Sequence, residues 1–526
     1  MDYVTIALSL VAVSIAIYYY VRKNYDLFKK YGIPHIPPSP VLGNMGPLLT
    51  KKQTMKDMMD DIYNLDSEAK YVGFYEFLAP IIVVRDLDLI KAITMKNFEQ
   101  FPDHRPFIND DSNPLYADMV FTLTGDRWRE ERNMLSPTFT SSKIKNMFKL
   151  MSSCAERFTD WLTNLPENER EKEMKQLLSM YTNDVIAGCV YGANVNTRKD
   201  PKNVFYVYGR IATTFTSFAM MLKLLLNRNS PRIARALRLK FMDSHIEKFF
   251  KDVVAETVKE RDRTGAQHPD VIQLMMNTKS KKGEGRAFSV ESMAAHAFTF
   301  FFGGFDSVST QFCFILQTLA EHPDVQRKLQ EEIEEALENG NGQISYEVVH
   351  DMKYLDAVIN ETMRLNAIVA FLDRVCTSEF ELPPAVPGAK PFTVRPGMNI
   401  WIPVTSIQRD PKYFEDPRKF DPERFLRDGK KILSSGAFLA FGIGPRMCIG
   451  NRFALTEIKV LLCHFLARCN VLVGSKTTVP LKLKKGTLNL TADDGFWLKL
   501  EPRKDLHPSL RANAAANGVA NGAVRD

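Results

Sequence analysis

The chain has 526 residues, 45% of them hydrophobic and 11% aromatic, so one large domain or two smaller ones can each bury a substantial core. Its net charge of +7 is modest and spread along the chain, and no recognition motif accompanies it, which leaves no case for a nucleic-acid partner. The seven cysteines are odd in number, scattered and without a C-x-x-C pair, which excludes a disulfide framework or zinc ribbon and points to a reducing compartment.

The first element in chain order is residues 3–21, YVTIALSLVAVSIAIYYYV, uncharged and long enough to cross a bilayer as a helix. Asp2 precedes it, whereas Arg22, Lys23, Lys29 and Lys30 follow, so the positive-inside rule places the rest of the chain in the cytosol. The run is too long for a signal peptide and no small-residue cleavage site follows it. Residues 1–22 are therefore expected to be an uncleaved single-pass anchor. Residues 23–47, which include PHIPPSP, are expected to form a stiff hinge, because proline fixes φ and resists helix.

Residues 71–86 are β-branched, apolar and interrupted by a proline, and predict a hairpin. From about 87 to 370 the apolar residues recur at three- and four-residue spacing, which predicts helices. The strongest pattern covers 289–340. Its first half is apolar on nearly all sides and belongs at the centre of the fold; a second, charged helix begins near Pro323. Residues 380–440 predict loops and strands, about 475–500 predicts short strands, and 507–526 is low-complexity and expected to be disordered. The fold class is mainly α with a minor β part, as a single domain over 48–506.

The chemistry centres on FGIGPRMCIG, residues 441–450. Most cysteines are small buried apolar residues. Around Cys448, however, glycines permit tight turns, Arg446 supplies a fixed charge, and a helix pattern starts immediately afterwards, where its dipole favours thiolate. Such a cysteine is a ligand or a nucleophile. A nucleophile wants a histidine base, and the nearest, His464, lies inside the following helix; a zinc site wants more ligands. A single thiolate suits a metal whose other ligands come from a macrocycle, as in haem with an axial cysteine.

The pattern F-x-x-G-x-R-x-C-x-G, complete at Phe441, Gly444, Arg446, Cys448 and Gly450, resembles the haem-binding signature of the cytochrome P450 superfamily. Glu361-Thr362-Met363-Arg364 is similar to the family's E-x-x-R, Pro422-Glu423-Arg424-Phe425 to its P-E-R-F, and Trp128 with Arg132 to W-x-x-x-R. Four motifs in order span 128–450, and anchor and hinge extend the resemblance to the microsomal type over nearly the whole chain. The run GFDSVST looks most like the insect detoxifying members, particularly family nine.

The resemblance implies the P450 fold and haem b, with Cys448 on the iron. It implies propionate contacts from Trp128, Arg132, Arg374 and Arg446, and close approach to the porphyrin at Phe441, Gly444 and Gly450. Glu361, Arg364 and Arg424 would form a buried ion network. On the central helix the family's small-Gly-x-acid-Thr reads Gly303-Gly304-Phe305-Asp306-Ser307. There the glycines would leave room for oxygen while Asp306 and Ser307 route protons. Serine keeps the hydroxyl but lacks the methyl that restricts the rotamer. Thr299 and Phe302 share the haem-facing side with Gly303, whereas Phe298 fits the core equally well. Val369, Phe371, Leu372 and Leu488 fall at pocket-lining positions, although Asn366-Ala367 stands near where relatives often carry two prolines. Phe205, Phe215, Phe218 and Met220 would make the lining apolar and suit lipophilic substrates.

No G-x-G-x-x-G is present, so electrons must come from a partner. In the microsomal type this is NADPH-cytochrome P450 reductase, with cytochrome b5 as a second possible donor. Arg127, Arg129, Lys143, Lys145, Lys149 and Lys459 would receive its acidic face. Residues 218–241 are apolar and basic, as in a segment dipping into a membrane interface. The implied setting is the endoplasmic reticulum membrane with the catalytic domain facing the cytosol, and the implied role is xenobiotic oxidation. Alternatives are an endogenous lipid or hormone hydroxylase, a reductase-independent relative that rearranges peroxides, and a haem-binding protein without turnover.

Overall fold

The computed structural model describes residues 25–508 except 107, 109–112, 215–216, 282–287 and 341, together with Leu510 and scattered positions within 3–19. Seven of its helices position the site: α1 (Met55–Tyr63), α2 (Gly125–Leu135), α3 (Ser141–Thr163), α4 (Met174–Tyr191), α5 (Val290–Glu321), α6 (Lys353–Leu365) and α7 (Asn451–Leu466).

Helix α5 is the axis around which the others pack. Ser289 caps its start by accepting from Ser292 N, and Pro323 begins the next helix directly after His322. At 32 residues it is about 48 Å long. Because its first half is apolar all round, neighbours enclose it on every side. Helix α4 comes so close that a Cβ on Gly304 would lie 2.5 Å from Ile186 Cδ1. The helix Val204–Thr213 presses Gly209 onto Phe301. Phe298 is fully buried between the rings of Tyr116 and Phe250, at 5.3 and 5.1 Å, and is core.

The β part has nine strands among the described residues: β1 (Tyr71–Glu76), β2 (Ala79–Val84), β3 (Glu171–Glu173), β4 (Leu372–Val375), β5 (Phe380–Leu382), β6 (Phe392–Val394), β7 (Asn399–Ile402), β8 (Cys469–Leu472) and β9 (Trp497–Pro502). They form a four-stranded sheet β1-β2-β7-β4, a three-stranded sheet β3-β9-β8 and the pair β5-β6. The predicted hairpin is β1–β2, antiparallel with Tyr71 opposite Val84. Side-chain alternation divides the four-stranded sheet between two apolar clusters. Tyr71, Tyr75, Ile82 and Val84 face one; Val72, Phe74, Ile81 and Val83 face the other.

Two expectations change. The proline segment is no free spacer: Phe28, Ile33 and Met45 are buried, and His35 bridges Gly73 of β1. Within 380–440 the structure contains a helix, Glu423–Ser435, whose buried Arg424, Phe425 and Ile432 outweigh the prolines before it; Gly436 at φ 84° ends it. Among the described residues no helix is long and apolar enough to cross a membrane. Much of the expected anchor, and of the tail 507–526, lies outside the described residues.

His464 is no base. It lies buried where α7 packs on α3, with Nε2 2.8 Å from Ser152 Oγ and Nδ1 3.3 Å from Arg468. Burial, with the Arg468 charge, lowers its pKa to about 3. The unfolded chain takes up this proton near pH 6.5, so the stability from a neutral His464 is complete above that value and is lost as pH falls toward 3. His464→Gln should remove up to about 1.4 kcal/mol per pH unit of slope below pH 6.5. Urea midpoints at pH 7 and pH 5 measure this; equal slopes in both proteins would refute it.

Candidate active site

The loop before α7 is held by its own backbone. Cys448 N donates to Phe441 O and Met447 N to Gly444 O, both at 2.9 Å, while Gly442 and Gly444 take left-handed φ of 81° and 75°. The constraint on Gly444 differs from the expected one. A Cβ there would lie 2.2 Å from Thr94 O, so it is another backbone segment that requires glycine. Gly450 starts α7 by accepting from Ala454 N, and a Cβ on it would meet no heavy atom within 4 Å.

Of the seven thiols only Cys448 is exposed; the other six are buried. Protein nevertheless surrounds its sulfur on most sides, and this desolvation raises the thiol pKa against the Gly450 backbone and the Arg132 charge. Helix-terminus stabilisation of thiolate is thus outweighed in the protein alone.

Three arginines surround this loop. Arg132 on α2 donates Nη2 to Met447 O at 2.7 Å. Arg446 lies 3.8 Å above the Trp128 ring, donates Nε to Pro102 O, and shares Nη2 between Asp103 Oδ1 and Leu123 O. Arg374 on β4 donates to Asp373 O and, at 3.2 Å, to Ile443 O. Burial lowers Arg374 to about 10 and Arg446 to about 9. Arg446 Nη1 and Arg374 Nε are buried without a partner among the described residues. A buried, unpaired cationic N–H is expensive, and a carboxylate suits it best. The residues therefore fit haem: a lone exposed thiol, open space beside the backbone at Gly450, and two N–H groups lacking acceptors among the described residues, suited to its propionates.

Beneath the loop lies the expected ion network. Glu361 and Arg364, both with no exposure, pair through Nε–Oε2 at 2.7 Å and Nη2–Oε1 at 2.8 Å. Arg364 also donates to the carbonyls of Gln408, Pro417 and Lys419. Arg424 is the looser member, 3.5 Å from Glu361 Oε1 and without a hydrogen bond from its Nε.

On α5 the glycine pair divides. Gly303 faces open space, whereas Gly304 serves the contact with Ile186 and leaves no room there for oxygen. Ser307 Oγ donates back to Gly303 O. Asp306 Oδ1 pairs with Lys175 Nζ of α4 at 2.8 Å, and the same ammonium donates to Asp306 O, Ser309 Oγ and Thr310 Oγ1. Thr299 Oγ1 donates to Ala295 O, and Phe302 meets Tyr116 edge-on at 5.9 Å. Val369, Leu372 and Leu488 are half-buried, but Phe371 turns onto Trp401 with ring centroids 4.0 Å apart. Phe205 belongs to the aromatic core against Tyr191 and Phe249. Phe215 and the side chain of Phe218 lie outside the described residues. Lys459 is corrected too: its side chain is 5% exposed and pairs with Asp356, so it offers nothing to a docking partner. Lys175 and Asp103 were invisible in the sequence, since neither belongs to a motif and each meets its partner only through the fold.

The family model "Cytochrome P450" matches residues 34–498. The chain belongs to the cytochrome P450 family. It is 41% identical over 509 residues to Cytochrome P450 9e2 of Blattella germanica, covering 91% of this chain and 94% of that protein. Probable cytochrome P450 9f2 of Drosophila melanogaster is 35% identical over 94% of this chain and 99% of its own. Cytochrome P450 6j1 of Blattella germanica is 32% identical over 94% and 97%. This P450 is accordingly a haem b monooxygenase, an oxidoreductase of mainly helical fold.

Glu361→Gln keeps the shape of the ion network but leaves Arg364 uncompensated and buried. Removing one partner of such a pair costs about 3–5 kcal/mol. The urea midpoint of the P450 should drop accordingly with haem content falling alongside it; an unmoved midpoint would refute the network's structural weight.

Proposed function

We propose that this P450 inserts one oxygen atom of O2 into lipophilic small molecules, xenobiotics in particular, with electrons from an NADPH-dependent reductase. The observation that carries the proposal is the single exposed thiol, Cys448, framed by Arg132, Arg374 and Arg446 with two N–H groups lacking acceptors. Haem bound there would supply oxygen activation, which a thiolate ligand promotes by electron donation.

The chain's own residues supply position and protons. Cys448 Sγ would ligate the iron, and Arg374 Nε and Arg446 Nη1 would donate to the propionates. Ser307 Oγ presents a proton beside the open face at Gly303. Asp306 replenishes it, for which its carboxylate must leave Lys175 Nζ. Half-buried Thr299, Phe302, Val369, Leu372 and Leu488 give substrate a mainly apolar lining.

Reductase docking is supported by the cations of α2 and α3. Arg127, Arg129 and Lys145 are 56%, 41% and 55% exposed, and Arg132 of α2 touches the Cys448 loop directly. Lys143 and Lys149 add to this face, which cytochrome b5 would share. Membrane attachment at the endoplasmic reticulum is supported by exposed apolar residues at the described helical positions Val4, Leu8, Val11 and Ile15. Leu222, Ile233 and Leu237, exposed on a basic segment, would dip into the same interface.

The reduced, carbon monoxide-treated protein should show the red-shifted Soret band of thiolate ligation, lost in Cys448→Ala; a histidine-type spectrum would end the proposal. Asp306→Asn should lower reductase-supported turnover about a hundredfold while the substrate-induced spectral shift keeps its affinity. If turnover stays at the wild-type rate, protons take another route. A panel of lipophilic compounds assayed for NADPH consumption and product identifies the substrate class.

A further inference from the structure

A cleft of about 1240 Å3 lies away from Cys448, which is not among its lining residues. Its walls are α1, the starts and ends of β1 and β2 at Lys70 and Arg85, the last turn of α5, the end of α6, and the loop 406–420. Its charges are incompletely paired. Lys56 has Asp60 at 2.6 Å, but Lys70, Arg85, Arg409, Lys412, Arg418 and Lys419 have no carboxylate within 4 Å among the described residues.

Most carboxylates of the cleft have structural work instead. Asp60 accepts from Ser406 Oγ at 2.6 Å, Asp410 from Tyr63 OH and Lys412 N, and Glu321 from Gln317. Asp86 caps the helix Leu87–Lys91 through Leu89 N. Glu68 and Asp416 reach no cation. Numbers of the two signs are therefore nearly balanced, while the pairing is not.

The two guanidinium groups are the sharpest feature. Arg85 stacks 4.5 Å over Tyr63 and donates Nη1 to the carbonyls of Asp66 and Ala69, while its Nε is buried without a partner. Arg409 donates Nη2 to Leu365 O, and its Nη1 is likewise buried and unpartnered. Two largely desolvated guanidinium groups with no carboxylate within 4 Å among the described residues, Arg409 being offset only by the more distant Asp60, are unfavourable unless an anion joins them. Planar guanidinium forks match oxyanions in bidentate fashion, and lysines add point charge. The cleft exceeds the usual 300–1,000 Å3 of a small-molecule site, and Tyr63, Tyr413 and Phe420 add aromatic wall.

We propose that this cleft binds the phosphate end of a small molecule, with Arg85 and Arg409 gripping the oxyanion and Lys412 and Lys419 at the rim. Binding would brace loop 408–419, whose carbonyls accept from Arg364 of the ion network. The ligand bears a phosphate group and comes either from the soluble pool or from a lipid headgroup.

The test uses full-chain holoenzyme at constant ionic strength. Pyrophosphate titrated by calorimetry should bind at one site per chain and raise the thermal midpoint. Lys412→Gln/Lys419→Gln, whose side chains support no described hydrogen bond, should weaken binding at least tenfold with the carbon monoxide spectrum intact. Arg409→Lys, which keeps charge but removes the fork, should weaken it further. Short-chain phosphatidic acid binding tighter than pyrophosphate identifies a lipid headgroup; the reverse order identifies a soluble phosphate. Absence of binding at millimolar pyrophosphate, or equal binding in wild type and the double variant, overturns the proposal. The intact spectrum keeps this outcome separate from the haem-thiolate assignment.

Discussion

The position of Cys448 depends on an ion pair that no water touches. Glu361 and Arg364 lie at the end of α6 with zero exposure, and their charges are satisfied only because three loop carbonyls also turn toward Arg364. One acceptor is Gln408 O, and the Gln408 side chain carries the constraint onward. Its Nε2 donates to Met363 O and Arg364 O, while its Oε1 accepts from Leu439 N. Leu439 O then accepts from Gly442 N, inside the loop that ends at Cys448. Such a chain of buried polar contacts is worth little as net stability, but it leaves the loop one geometry.

Helix α5 combines two demands that conflict along a single face. It must be apolar all round to fill the centre, yet it carries an acid and a hydroxyl, Asp306 and Ser307. Packing resolves the conflict at single-residue resolution. Gly304 yields its side to Ile186, Gly303 stays open one residue earlier, and Lys175 neutralises Asp306 from α4. The acid is thus available but restrained, since an ammonium with four acceptors around it resists displacement.

Much of this was legible because certain patterns have few physical solutions. A glycine-flanked cysteine before a helix, an E-x-x-R turn and an all-apolar helix each constrain their surroundings, and hairpin β1–β2 follows from composition alone. What failed had a common cause: a residue's partner lies elsewhere in the chain. Gly444, expected near the porphyrin, is also pressed against Thr94 O; Lys459 looked like docking surface but lies buried against Asp356; Phe371, expected at the pocket, stacks on Trp401. The helix Glu423–Ser435 escaped notice because prolines dominate its approach, whereas its buried face is spread over nine residues.

By itself the sequence determined the class of protein: a mainly helical P450 with haem b as cofactor, a lone cysteine, Cys448, in its signature loop, and a pair, Glu361 with Arg364, that the structure buries. Those features reside in residue types at fixed local spacing, which a short stretch of chain specifies without help. Only the tertiary structure decided which nitrogens of Arg374 and Arg446 remain free, which glycine of the pair stays open, and that Lys175 holds Asp306. It also gathered six cations without carboxylate partners among the described residues, from segments more than three hundred residues apart, into one cleft. Pairing, burial and access are properties of side chains brought together across long sequence separations, and local pattern carries no record of them.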